Sequence, residues 1–278
     1  MISRGHRWIR KAVATLLGVA AVTQFVPLDS PSSGSDASVS APGLFASLIG
    51  SPVHAAEVAS SGQRSARTQL SVYRSISLIQ ACLLVSDELA KEHRWNEALV
   101  HLDRITEELN RLSQQHPNVL DMSKFGVRLA SLMSSVKGQY RISYEQMALS
   151  TQTELIKILE KYKATLPTPT TKLAVHVANE ILDLAATVYA SSIEGKKFVD
   201  ARKYQHSRGL VWSAELIYVD YSVPLEKADL RSLGDIRMLV NKIKAAFPTT
   251  SPPVTPLVDT ANFRQHVARI NQISTIYH

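Results

Sequence analysis

Helical spacing groups ligand-type side chains at a few places in this sequence. His176, Glu180 and Asp183 follow at i, i+4 and i+7, which puts them on one side of a helix. Tyr204 and His206 open the next helical segment, and Glu97 and His101 repeat the i, i+4 spacing upstream. Imidazole and carboxylate groups converging on one face are ligands for iron or another divalent metal. The candidate metal set is therefore His176, Glu180, Asp183, Tyr204 and His206. Any helix rich in polar residues produces such spacing, so solvent exposure and core hydrogen bonding stand beside ligation as readings.

Other chemistry leaves little trace. Cys82 is the single cysteine, so no intrachain disulfide can form. Its setting, SLIQACLLVSDEL, is apolar and fits a buried structural thiol, not a nucleophile, which wants a basic and exposed site. The chain contains no HExxH helix, Gly-rich phosphate loop, GxSxG elbow or CxxCH haem attachment. A non-enzymatic role is expected, and an enzyme with a site assembled from scattered residues is the alternative.

The elements that must position these residues are helical. Apolar residues are mostly Leu, Ala, Val and Ile, recurring with a period of 3.6. Val72, Ile76, Ile79, Leu83 and Leu84 mark a helix over 68–92, and Leu99, Leu102, Ile105, Leu109 and Leu112 a second over 96–115. A third is expected over 122–137, burying Val127, Leu129, Ala130, Leu132 and Met133. Ser143 and Gln146 have capping-box spacing for a fourth, to about residue 165. LPTPTT (166–171) then breaks the chain. A fifth helix over 172–194 should end at Gly195 in a left-handed cap, and Asp200 should cap a sixth, running to Tyr221. A seventh follows over 230–247. PTTSPPVTP reads as a stiff linker over 249–258, ahead of a C-terminal helix over 259–278 with Phe263, Val267, Ile270 and Ile273 on one stripe. That helix either docks on the bundle or binds a partner. The fold class is all-α, an up-down bundle of about six to eight helices, with the main domain over 68–248.

The N-terminus has the layout of an export signal. Arg4, Arg7, Arg10 and Lys11 precede an apolar run to about Val26, and SPVHAAE (51–57) offers a small-residue cleavage site. Residues 1–56 are then an export signal with a Ser/Pro/Gly-rich tether, and 57–67 a flexible mature N-terminus. The alternative is an uncleaved membrane anchor through residues 8–26. Residues 1–56 carry four Lys/Arg and two Asp, which leaves 31 − 4 = 27 basic against 24 − 2 = 22 acidic residues elsewhere. No block of like charge marks a nucleic-acid arm, so a nucleic-acid partner is not expected.

One stretch carries a family likeness. EILDLAATVYASSIEGKKFVDARKYQ resembles the soluble helical region that precedes the membrane part of some bacterial high-affinity iron permeases. The matching residues are Leu182, Asp183, Tyr189, Gly195, Lys196, Val199, Asp200 and Tyr204. The following LEKADLRSLGDIRMLVNKIKAAFP is similar to that family's next helix, so the likeness spans roughly 173–248. It implies a periplasmic helical domain and a metal permease as partner. The departures are specific. Lys203 stands where the resemblance implies Glu, His206 and Gly209 stand where it implies further acids, and no Arg-Glu-x-x-Glu motif occurs. The expectation is an exported, non-enzymatic binding protein accessory to metal uptake. Its rival is a structural or interaction module of the cell envelope without a metal.

Overall fold

The computed structural model describes residues 52–117, 119–166 and 170–277, with side chains from Ser65 onward. The export signal and tether up to residue 51 and the 167–169 part of the proline break lie outside the described residues. The chain divides into Met1–Val58, of which Pro52–Val58 is described and helical, and Ala59–His278.

Eight α-helices are present among the described residues: α1 (Pro52–Lys91), α2 (Trp95–Gln115), α3 (Ser123–Lys137), α4 (Arg141–Lys163), α5 (Thr170–Ser191), α6 (Ala201–Asp220), α7 (Ser222–Lys244) and α8 (Thr260–Ser274). Between α5 and α6 sits a two-stranded hairpin, β1 (Ile193–Glu194) and β2 (Lys197–Phe198), and a 3₁₀ turn (Thr275–Tyr277) closes the chain. The all-α expectation holds. Helix α5 packs most extensively on α6, α7 pairs with α8, and α8 returns against α5, so the last four helices close on one another. The apolar stripes are the core: Ile76, Ile79, Leu102, Ile105, Leu132, Ile181, Leu182, Leu233, Phe263 and Ile270 are all buried.

Several local expectations are corrected. Helix α1 begins at Pro52, so residues 57–67 are helical and not a flexible lead. It ends at a short turn in which Arg94 N–H bonds Leu89 O and His93 adopts φ 60°, a left-handed stop usually given to glycine. Helix α4 starts at Arg141, so Ser143 falls inside its first turn and makes no cap. Val127 and Ala130 of α3 are exposed, and Phe125, buried, takes the inward place.

Gly195 does not cap α5. The helix stops at Ser191, and Gly195, at φ +60°, turns the hairpin that pairs Ile193 with Phe198. Asp200 does cap α6, its Oδ1 accepting Lys203 N–H at 3.0 Å. Helix α7 is two segments merged across Asp229, whose φ of −161° is extended. The Asp229 carboxylate accepts Arg231 N–H at 2.9 Å and Ser232 N–H at 3.2 Å, so the second segment opens at Leu230 as expected.

The 249–258 segment is not a free linker. Thr250 is buried, and Arg94 donates to the hydroxyls of Thr250 and Ser251 at 2.8 Å each. Beyond it, Asp259 caps α8 by accepting Asn262 N–H at 2.7 Å. Phe263, Val267 and Ile270 are buried, so the C-terminal helix docks.

Candidate functional site

The sequence-predicted ligands fall in three different places. His176, Glu180 and Asp183 lie on the outer side of α5. His176 Nε2 stands 3.6 Å from Glu180 Oε1, and Arg74 of α1 stands 3.9 Å from Glu180 Oε2. Asp183 accepts two bonds from Asn271 Nδ2 of α8, at 3.1 and 3.2 Å. The three carboxylate and imidazole groups are therefore engaged with neighbours on α1 and α8, and they do not gather around one point.

Tyr204 is fully buried and belongs to an aromatic cluster. Its ring meets Phe198 and Phe247, with centroids 5.0 and 5.2 Å away, while Tyr189 stacks on Phe263 at 4.8 Å. The two tyrosines clasp the C-terminal strap instead of facing water. Tyr189 OH donates to Val258 O at 2.7 Å, and Tyr204 OH donates to Thr249 O at 2.9 Å. Burial pushes the Tyr204 hydroxyl up to about 12 and that of Tyr189 higher still. Both stay protonated donors. Val199, at 60% exposure, takes no part in the cluster, but Phe198 does.

His206 points elsewhere, into a junction of α1, α2 and α6. Its Nδ1 lies 3.9 Å from Cys82 Sγ on α1. His101 of α2 completes the group: one ligand atom from each of Cys82, His101 and His206 lies within 4.8 Å of the other two. All three residues are at least nine-tenths buried, with exposures of 4%, 1% and 5%. This is the one such cluster of three among the described residues.

The junction forms because small residues let α1 and α6 approach. A Cβ added to Gly209 would lie 2.4 Å from Ala81 O, so no other residue fits there without moving backbone. One turn on, Ser213 Oγ donates to Ser77 O at 2.8 Å. Arg208 clamps the same contact. Its guanidinium meets both oxygens of Glu88 on α1, at 2.7 and 3.0 Å, and lies 4.2 Å over the Trp212 ring.

Electrostatics at the junction favour uncharged groups. Burial pushes His101 down to about 4 and His206 down to about 3, with the Arg104 charge lowering both further. Burial raises the Cys82 thiol to about 12. Behind His101 runs a polar relay: Gln205 Nε2 donates to Glu97 Oε2 at 2.7 Å, and Gln205 Oε1 lies 3.2 Å from His101 Nε2. Because the amide NH₂ is spent on Glu97, the amide oxygen must accept, which fixes the His101 proton on Nε2. The buried Nδ1 of His101 then keeps its lone pair and has no hydrogen-bond partner.

Residues 166–277 match the family described as an iron permease-associated 4-helix bundle domain. The match covers α5, the hairpin, α6, α7, the strap and α8, and it extends the likeness read over 173–248 through the C-terminal helix. No curated protein and no solved structure matches the chain. Helices α1–α4 lie outside the matched residues. Helix α5 is the one described helix long and apolar enough to cross a membrane, with mean hydropathy 1.2. Ten of its residues are buried against the bundle, so here that apolarity serves the core.

Sequence reasoning had singled out His206, His101 and Cys82 separately, without grouping them. The only hint of their meeting was the spacing of small residues, Ser77 and Ala81 on α1 with Gly209 and Ser213 on α6.

Proposed function

We propose that this chain is an exported, non-enzymatic binding protein that serves metal uptake through an iron permease. The match of residues 166–277 to an iron permease-associated domain carries this reading. Three further features support it. The N-terminal Arg/Lys cluster followed by an apolar run suits export. The bundle core is a continuous apolar interior. The outer side of α5 supplies the oxygen and nitrogen donors that iron favours, His176, Glu180 and Asp183.

In this role the bundle would dock on a permease in the envelope, with the donors of the α5 face meeting an ion one at a time and not as a closed site. Cells lacking the chain should take up labelled ferrous iron more slowly, and the full-length protein, but not one without residues 1–56, should restore the rate. Fractionation should recover the protein outside the cytoplasm. Unchanged iron uptake with the protein absent would overturn the accessory role. A protein retained in the cytoplasm would overturn export.

A further inference from the structure

We propose that Cys82, His101 and His206 form a buried binding site for a soft metal ion, and that its ion is cuprous copper. The inference does not depend on the accessory role proposed above. It uses two elements, α1 and α2, that lie outside the family match.

Three observations carry it. First, one thiol and two imidazoles converge in the core with their ligand atoms within 4.8 Å of one another, and one pair already stands at the separation a bound ion sets. Metal–sulfur and metal–nitrogen bonds of about 2.3 and 2.0 Å place sulfur and nitrogen roughly 3.8 Å apart in a trigonal site. Cys82 Sγ and His206 Nδ1 are 3.9 Å apart already. Second, the bare Nδ1 of His101 is buried with no partner, which costs free energy unless something occupies its lone pair. Third, the His101 ring is oriented from behind by Gln205, which is itself held by the Glu97 carboxylate. That arrangement is how metal-ligating histidines are set: the distal N–H is donated to an acceptor, leaving the other nitrogen for the ion.

The donor set and its surroundings select the ion. Thiolate with imidazole suits cuprous copper or zinc over ferric iron, which prefers oxygen. No fourth His, Cys or carboxylate joins the cluster among the described residues, and zinc ordinarily takes four ligands. Charge decides further. A cuprous ion with one thiolate and two neutral imidazoles is neutral, whereas zinc would leave a net positive charge in a buried site, with Glu97, Glu107 and Glu108 as well as Arg104 in range. Binding forms a Cu–S bond and breaks the S–H bond, and the proton leaves to solvent, so one proton is released per ion bound with no change in oxidation state.

The test uses the full-length protein, metal-free and reduced, titrated anaerobically with cuprous ion against a coloured cuprous chelator. A parallel sample is refolded from urea with one equivalent present, because the site is enclosed. We expect one ion per chain, one proton released, and X-ray absorption showing one sulfur and two nitrogen neighbours. Cys82→Ala should weaken binding by more than 100-fold while remaining folded by circular dichroism. Gln205→Leu, which leaves all three ligands in place, should weaken it about 10- to 100-fold. Three results would each overturn the proposal: no binding under either loading route, full binding retained by Cys82→Ala, or tighter binding of zinc or ferrous ion than of cuprous ion. A normal iron-uptake phenotype would leave this site untouched, and loss of the site would leave that phenotype interpretable.

Discussion

The outer side of α5 and the junction of α1, α2 and α6 both present histidines, and they do so by opposite means. On α5, His176 and Glu180 are neighbours because one helix turn makes them so; His176 is exposed and Glu180 partly so. At the junction, Cys82 and His206 are 124 positions apart and meet because two helices approach over glycine and serine. Local spacing produces donors that water can still reach. Tertiary convergence produces donors stripped of water, whose protonation is then set by burial. Only the second kind creates an environment that differs chemically from the surface.

That contrast can be broken from the junction side first. Arg208→Ala strands Glu88 half-buried and removes the clamp between α1 and α6; we expect a loss of about 3–5 kcal/mol in urea denaturation. Acid should act next. In metal-free protein, His101 and His206 hold folded values of about 4 and about 3, below the ordinary histidine value of about 6.5. The unfolded chain therefore binds protons first as pH falls. Their contribution is complete above about pH 7 and drains away as pH falls to about 4 for His101 and about 3 for His206, on the order of 3 kcal/mol for His101. Unfolding midpoints measured from pH 7 to 4 should fall, and His101→Gln should flatten the slope.

Smaller effects sharpen the same comparison. Gly209→Ala forces the two helices apart and should cost about 1–3 kcal/mol, with cuprous binding weakened alongside. Tyr204→Phe removes the hydroxyl that satisfies Thr249 O and should lower stability by about 1 kcal/mol. On α5, Glu180→Gln should change stability by less than about 1 kcal/mol, since its ion pairs with His176 and Arg74 are long and partly exposed. A thermal shift for Glu180→Gln as large as that for Tyr204→Phe would show that the α5 face is structural.

What the sequence disclosed follows the same division. Most helical stripes and the cap at Asp200 depend on residues within one or two turns, and they were legible; the Asp229 cap and the inward face of α3 were not. The hairpin around Gly195 was not, because a glycine after a helix serves a left-handed cap and a two-residue turn equally well. The pairing of Ile193 with Phe198, which settles it, is a tertiary choice made by Phe198 joining the aromatic cluster. The strap was misjudged for a related reason. Its prolines announce stiffness but say nothing of the tyrosine hydroxyls waiting for its carbonyls. For the candidate site, composition flagged each member, yet neither spacing nor composition carries the information that Gly209 seats against Ala81.

The strap has a consequence for how the C-terminal helix is retained. Pro252, Pro253 and Pro256 restrict the connector before it docks, so α8 is tethered close to its groove even when its own contacts open. Rebinding is then an intramolecular event at high effective concentration. A single backbone cut near Val254, whose side chain is 87% exposed, would convert that event into the encounter of two separate molecules. Most contacts would be unchanged at the moment of cleavage, but the helix, once lost, would return only at a rate set by dilution.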